Sequence, residues 1–100
     1  MDRLPEHAEE ILKKHNVFWW EDCGCANYKL RTTKADEFMV GIIIDIPDRY
    51  IASILAEEYR IYVIPRESGI WEACVWNKND VFMARDRTTS ILEAARKIND

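Results

Sequence analysis

The sequence has little of what marks several common protein classes. It has no run of about 18 apolar residues, the length that a membrane-spanning helix needs. Its first residues lack the apolar stretch of a secretory signal, so we expect a cytoplasmic protein. It has only three glycines, and none of them begins a glycine-rich phosphate-binding loop. These shortages argue against membrane, secreted and nucleotide-binding proteins.

Cysteine and histidine are also scarce, with three and two residues. An odd number of cysteines without a secretory signal favours reduced thiols. Cys23 and Cys25 could ligate zinc together with His15 or Cys74, but structural zinc sites usually separate paired cysteines by two to four residues. No nucleophile and base occur in a recognisable motif, so we expect neither an enzyme nor a cofactor. A small-molecule or metal-binding domain that uses Cys23, Cys25 and His15 stays open as an alternative.

Charge is mildly acidic, with 18 acidic against 14 basic side chains and a net charge of −4. Affinity for DNA or RNA depends on cations that contact phosphates, so this balance disfavours a nucleic-acid partner. If the chain does bind nucleic acid, the basic group Lys29, Arg31 and Lys34 is the candidate surface.

The most regular pattern lies in residues 59–100. Runs rich in β-branched and aromatic residues predict strands over 60–64, 70–76 and 81–85. Pro65 and Gly69 mark the first connection, and 77–80, which is rich in Asn and Asp, marks the second. Such short connections predict an antiparallel meander. Both faces of the strand 70–76 are largely apolar, so we expect both to be covered.

A helix is predicted over 90–98. Ser90 and Glu93 fit a capping box, in which the two side chains bond backbone amides at the start of the helix. Apolar residues recur at helical spacing from Ile91 to Ile98, and Arg96 and Lys97 suit the negative end of the helix dipole.

The first half of the chain shows similar signals. Helical spacing over 4–15 and alternation over 27–33 predict a helix and a strand, and apolar runs predict strands over 17–21 and 37–46. The triplet Ile42–Ile44 is expected to be the most buried, and a second helix should begin after Pro47 and run to Glu58. The predicted order is α-β-β-β-α-β-β-β-α. We therefore expect one α+β domain over 1–100, with a mostly antiparallel sheet of five to six strands and helices packed on it.

Aromatic residues are numerous for a small core. Trp19 and Trp20 are adjacent on a predicted strand and must face opposite ways, so at least one needs cover from a helix or a partner. Tryptophan and tyrosine dominate interface hot spots. We therefore predict a protein-binding surface formed by Trp19, Trp20, Tyr50, Glu57 and Glu58, and a homodimer is also compatible with this pattern.

Residues 62–98 resemble two families of small domains. The segments Tyr-Val-Ile-Pro at 62–65, Trp-Glu-Ala-Cys-Val at 71–75 and Ala-Arg-Asp-Arg-Thr-Thr-Ser-Ile-Leu-Glu-Ala-Ala-Arg-Lys-Ile at 84–98 carry the likeness. They are similar to the small α/β sandwich of phage accessory proteins and, less closely, to the HicB-type antitoxin domain. Arg85 replaces the glycine that is usual before the antitoxin helix. The preferred resemblance implies a phage-encoded, non-enzymatic protein that binds or inhibits a host or defence protein.

Overall fold

The chain folds into two compact units, Met1–Pro47 and Asp48–Asp100. The computed structural model describes residues 1–32 and 42–98. Its helices and antiparallel strands confirm the α+β class, and their order agrees with the predicted one apart from a short 3-10 turn at Glu67–Gly69. The prediction of one sheet of five to six strands is wrong, because the described strands form two separate three-stranded sheets. The prediction of a single domain stays a prediction, because the two compact units could belong to one domain or form two separate domains.

The first unit is a helix followed by a three-stranded meander: α1 Glu6–Lys14, β1 Val17–Asp22, β2 Cys25–Arg31 and β3 Ile43–Asp45. Pro5, in an extended conformation, precedes α1, where its missing amide hydrogen costs nothing. Acidic residues occupy the first turn of α1 and lysines the last turn, as the helix dipole favours.

One face of this sheet is covered by α1. Val17 and Tyr28 point to that face and are fully buried, together with Ala8 and Leu12 of the helix. The register pairs Phe18 with Lys29 and Trp20 with Asn27 on the opposite face. We call this opposite side the open face of the first sheet, because α1 does not cover it.

The second unit has two helices and its own meander: α2 Asp48–Tyr59, β4 Ile61–Pro65, β5 Trp71–Val75, β6 Val81–Ala84 and α3 Arg87–Lys97. Pro65 is the last residue of β4, and the next connection contains Gly69 at a φ of +74°. The second connection begins with Asn77 at a φ of +65°. Both turn predictions are confirmed.

Both helices of the second unit pack on the same face of its sheet. Ile61, Ala73 and Val75 point to that face and are buried, as are Ile91 and Leu55 of the helices. No described helix of this unit lies on the other face. Cys74 points to that face from β5 and is nevertheless buried, so the prediction that both faces of β5 are covered holds for this residue.

The cap of α3 differs from the predicted one. Asp86, not Ser90, is the N-cap residue, and its carboxylate accepts hydrogen bonds from the amide and the hydroxyl of Thr89, both at 2.7 Å. Ser90 is fully buried one turn into the helix, where its hydroxyl donates to the Arg87 carbonyl. The helix therefore begins earlier than the capping-box pattern indicated.

The isoleucine triplet is not the most buried part of the chain. Ile42 and Ile44 are 51% and 41% exposed. The predicted strand over 37–46 is seen as Ile43–Asp45, and its residues 37–41 lie outside the described part of the chain, as does Lys34. An apolar triplet predicts a strand but does not show which of its side chains are buried by other elements.

The two units repeat one local arrangement. A residue with a left-handed backbone joins the first helix of each unit to the next strand: Asn16, at a φ of 63°, follows α1 and His15, and Arg60, at 56°, directly follows α2. A strand starts at the next residue in both cases. The Asn16 carbonyl accepts a hydrogen bond from the amide of Arg31, and the Arg60 carbonyl accepts one from the amide of Trp76. In each unit, the donor is the residue that follows the last inward-pointing residue of the middle strand. The order helix, left-handed residue and meander therefore occurs twice.

Among the described residues, no helix is long and apolar enough to cross a membrane.

Candidate functional site

A buried hydrogen-bond network fixes α1 on the first sheet. The hydroxyl of Tyr28 donates to Oε2 of Glu9 at 2.7 Å and accepts from the amide of Leu4 at 2.7 Å. The guanidinium of Arg3 bonds both oxygens of the same carboxylate, at 2.8 and 3.2 Å. Tyr28 is fully buried, so its hydroxyl needs these partners to offset the loss of water. The network therefore holds the segment before α1, the helix itself and β2 together.

Two groups of this network have shifted pKa values. Burial, followed by the hydrogen bond to Glu9, raises the pKa of Tyr28, so the phenol stays protonated as a donor. Burial also acts to raise the pKa of Glu9, but the hydrogen bonds from Arg3 and Tyr28 outweigh it and lower that pKa. Glu9 is therefore a stable anion in the folded chain.

The two neighbouring tryptophans lie on opposite faces of the first sheet. Trp19 faces α1, where its ring packs edge-on against Tyr28 at 4.8 Å between centroids and its Nε1 donates to Glu21 at 2.8 Å. Trp20 lies on the open face, with its ring 5.9 Å from that of Phe18. Of these two residues, Trp20 is thus presented on the face that no described helix of the unit covers, whereas Trp19 packs within the unit.

The open face of the first sheet carries a groove at the β1–β2 hairpin, which we call the hairpin groove. Its volume is about 470 Å³, and it is lined by Trp20, Asp22, Cys23, Cys25, Asn27, Lys29 and Asp45. Asp22 pairs with Cys25 across the hairpin, so Cys23 and Gly24 form the two-residue turn. Gly24 has a φ of +76°, a conformation that glycine adopts without steric cost. The turn places both exposed thiols at one groove.

Two of the basic candidates, Lys29 and Arg31, lie on the same open face. Lys29 forms an ion pair with Asp45, its partner on β3, with 2.9 Å between Nζ and Oδ1. The guanidinium of Arg31 lies 5.1 Å from the ring centroid of Phe18, within cation–π range. One of these two cations is thus neutralised locally, which weakens the attraction of the face for phosphates. Nucleic-acid binding through Lys29, Arg31 and Lys34 stays an untested alternative.

The candidate metal ligands do not all meet. His15 lies just after α1 and before β1, whereas Cys23 lies beyond the other end of β1. Cys74 is buried on β5, in the second unit. Within residues 1–32 and 42–98, no group of three or more His, Cys, Asp or Glu side chains is placed to hold a metal ion. Cys23 and Cys25 are thus brought together without His15 or Cys74.

The second sheet presents an apolar surface on the side away from its helices. We call this the outer face, formed by side chains of β4, β5 and β6 that share one side: Tyr62, Ile64, Glu72, Cys74, Val81 and Met83. Tyr62, Val81 and Met83 are 50%, 47% and 64% exposed. Trp76, one residue beyond β5, is 57% exposed.

The centre and one end of the outer face contain the polar contacts. Tyr62, Cys74 and Val81 are cross-strand partners in one row, and a hydrogen bond with the Cys74 thiol raises the pKa of Tyr62. In the next row, Glu72 forms an ion pair with Arg66 at 2.9 Å. The outer face is therefore an apolar patch with one charged pair, not a charged surface.

Sequence reasoning found these strands but missed the surface. The signal was present, because β5 and β6 show no polar set of alternating residues on either side. The predicted cover on both faces holds for β5, where Cys74 is buried, but not for its row partners Tyr62 and Val81, which are half-exposed. Which face a helix covers depends on connection geometry, which alternation alone does not reveal.

The remaining predicted contacts lie on α2. Tyr50, Glu57 and Glu58 are exposed there, and Tyr50 and Glu57 are two turns apart on one helix face. They belong to the second unit and Trp20 to the first, so the predicted five-residue surface stays a prediction.

Comparison with protein-family models, with curated proteins and with solved structures finds no match to this chain.

Proposed function

We propose that this chain acts by binding another protein, and that the outer face of the second sheet is its contact surface. The observation that carries this proposal is the exposure of Tyr62, Val81 and Met83 on one sheet face that lacks a helix of its own unit. Contiguous exposed apolar side chains on a folded protein mark interaction surfaces more often than scattered ones do.

The composition of the outer face supports a protein as the partner. Tyrosine, tryptophan and methionine are enriched in protein interfaces, while lysine, glutamate and aspartate are depleted. The one acid of the face, Glu72, is already paired with Arg66, so a partner would bury no unpaired charge there. The resemblance to phage accessory domains suggests a host or defence protein as the partner, and this part of the proposal rests on the resemblance alone.

A pair of charge-introducing variants tests the surface. Met83→Lys places a cation on the most exposed apolar side chain of the outer face, opposite Glu72 on the neighbouring strand, and a lysine on an edge strand such as β6 is well tolerated. Tyr50→Lys introduces the same charge at an exposed position on α2. The partner is first captured by the full chain from the lysate of its source cells and identified by mass spectrometry, and each variant is then titrated against the purified partner.

We expect Met83→Lys to weaken binding at least tenfold, because the loss of an interface hot-spot residue typically costs about 2 kcal/mol of binding free energy. Tyr50→Lys should bind as the original chain does, and circular dichroism should show both variants folded. The opposite result would move the interface to α2 and overturn the proposal. Self-association of the original chain that Met83→Lys abolishes would assign the outer face to a homodimer and would also count against it.

A further inference from the structure

The hairpin groove brings together two exposed thiols that the proposed protein-binding function does not use. Cys23 occupies the turn and Cys25 begins β2, and both line the groove with Asp22, Lys29 and Asp45. The amide of Cys23 donates to Oδ1 of Asp22 at 2.7 Å, which fixes the backbone of the turn. Both thiols are accessible to solvent, in contrast to the buried Cys74.

We propose that Cys23 and Cys25 form a two-thiolate site for a soft monovalent cation of the copper(I) type. Thiolate sulfur is the ligand that soft ions such as copper(I) select. Zinc instead takes four ligands in structural sites and at least three protein ligands in catalytic ones. Asp22 and Asp45 line the groove, but Asp22 accepts from the Cys23 amide and Asp45 is paired with Lys29. The two sulfurs at the turn are therefore the ligands that this groove offers to a soft ion.

The charges of the groove agree with this assignment. Binding converts two thiols and one monovalent cation into a bis-thiolate complex of net charge −1 and releases two protons. Lys29 lines the same groove, where its side chain is 27% exposed and paired with Asp45. Its ammonium group neutralises Asp45, so the groove opposes the negative complex less than it would with that carboxylate unpaired.

Competition for copper(I) under anaerobic conditions tests the site. The full chain is titrated into a coloured copper(I) chelator, and the ion that it removes is read from the loss of absorbance. We expect one equivalent to transfer to the original chain. Cys23→Ser and Cys25→Ser should each weaken binding more than about 100-fold, since even groups behind the ligands cost 10–100-fold. Cys74→Ser is the matched control and should bind as the original chain does.

Further outcomes distinguish a site of two sulfurs from a site with more ligands. Cobalt(II) bound with the intense absorption of a tetrahedral thiolate centre would show additional ligands and would overturn the two-ligand assignment. Failure of the original chain to compete for copper(I), or equal binding by Cys23→Ser, would overturn the site itself. Lys29→Met should reduce copper(I) affinity about tenfold, and an unchanged affinity would refute the part assigned to its charge. Thermal melting of each apo variant confirms that the exposed turn has kept its fold.

Discussion

Replacing Tyr28 with phenylalanine should strongly destabilise the first unit. The change removes one hydroxyl that donates to the Glu9 carboxylate and accepts from the Leu4 amide, each at 2.7 Å. A hydrogen bond to a charged group contributes about 1.5–3 kcal/mol, and a buried amide left without its partner costs about 1–3 kcal/mol. Because the two effects partly overlap, we expect a loss of about 3 kcal/mol in the free energy of unfolding.

Urea denaturation followed by tryptophan fluorescence measures this loss, because Trp19 packs against Tyr28 and reports on the same region. At about 4–8 °C per kcal/mol for a domain of this size, the melting temperature should fall by roughly 12–24 °C. Tyr50→Phe removes an exposed hydroxyl from α2 and should change stability by less than about 0.5 kcal/mol. If Tyr28→Phe lost less than about 1 kcal/mol, the network would not be what fixes α1 on the sheet.

Three further predictions concern stability. Arg60→Gly should stabilise the chain by about 0.5–1 kcal/mol, because removing the steric cost of a left-handed arginine outweighs the greater entropy that glycine gives the unfolded chain. Asn16→Gly should gain less, since asparagine tolerates this conformation better, and paired thermal melts that showed no difference would contradict this. Asp86→Ala should cost about 1 kcal/mol by removing the N-cap of α3, whereas a melting temperature equal to that of the original chain would assign the cap elsewhere. The lowered pKa of Glu9 contributes stability that is complete above its usual pKa of 4.5 and is lost as the pH falls through the pKa of the folded state. Urea titrations at several pH values should therefore show that Glu9→Gln loses less stability than the original chain does as the solution is acidified.

Most secondary structure was predictable because local signals agree with each other. Predicted strands over 60–64 and 70–76 are observed as Ile61–Pro65 and Trp71–Val75, and the helix over 4–15 as Glu6–Lys14. Boundaries shifted where a polar side chain had two possible roles, as at Ser90, which fits a cap but lies buried inside α3. The division into two sheets was not predictable, since alternation identifies strands without naming their neighbours.

The candidate surfaces were only partly predictable. Alternation correctly requires Trp19 and Trp20 to face opposite ways, but only the position of α1 decides which of them is covered. Cys23 and Cys25 were recognisable from their spacing, whereas the groove around them depends on Lys29 and Asp45 meeting across β2 and β3. Pairing between distant residues is tertiary information, and a single sequence does not contain it in readable form.

The repeated meander also has a consequence for how the chain reaches its fold. Every strand pairing among the described residues joins strands that are consecutive in the chain, so these sheet contacts are short in sequence. Local pairings require less loop closure than non-local ones and therefore form faster. The two-residue turn at Cys23 and Gly24 closes a far smaller loop than the connection between β2 and β3 does. We therefore expect the β1–β2 hairpin to form early and β3 to join it afterwards, so that the thiol-bearing turn is one of the first parts of the chain to acquire its shape.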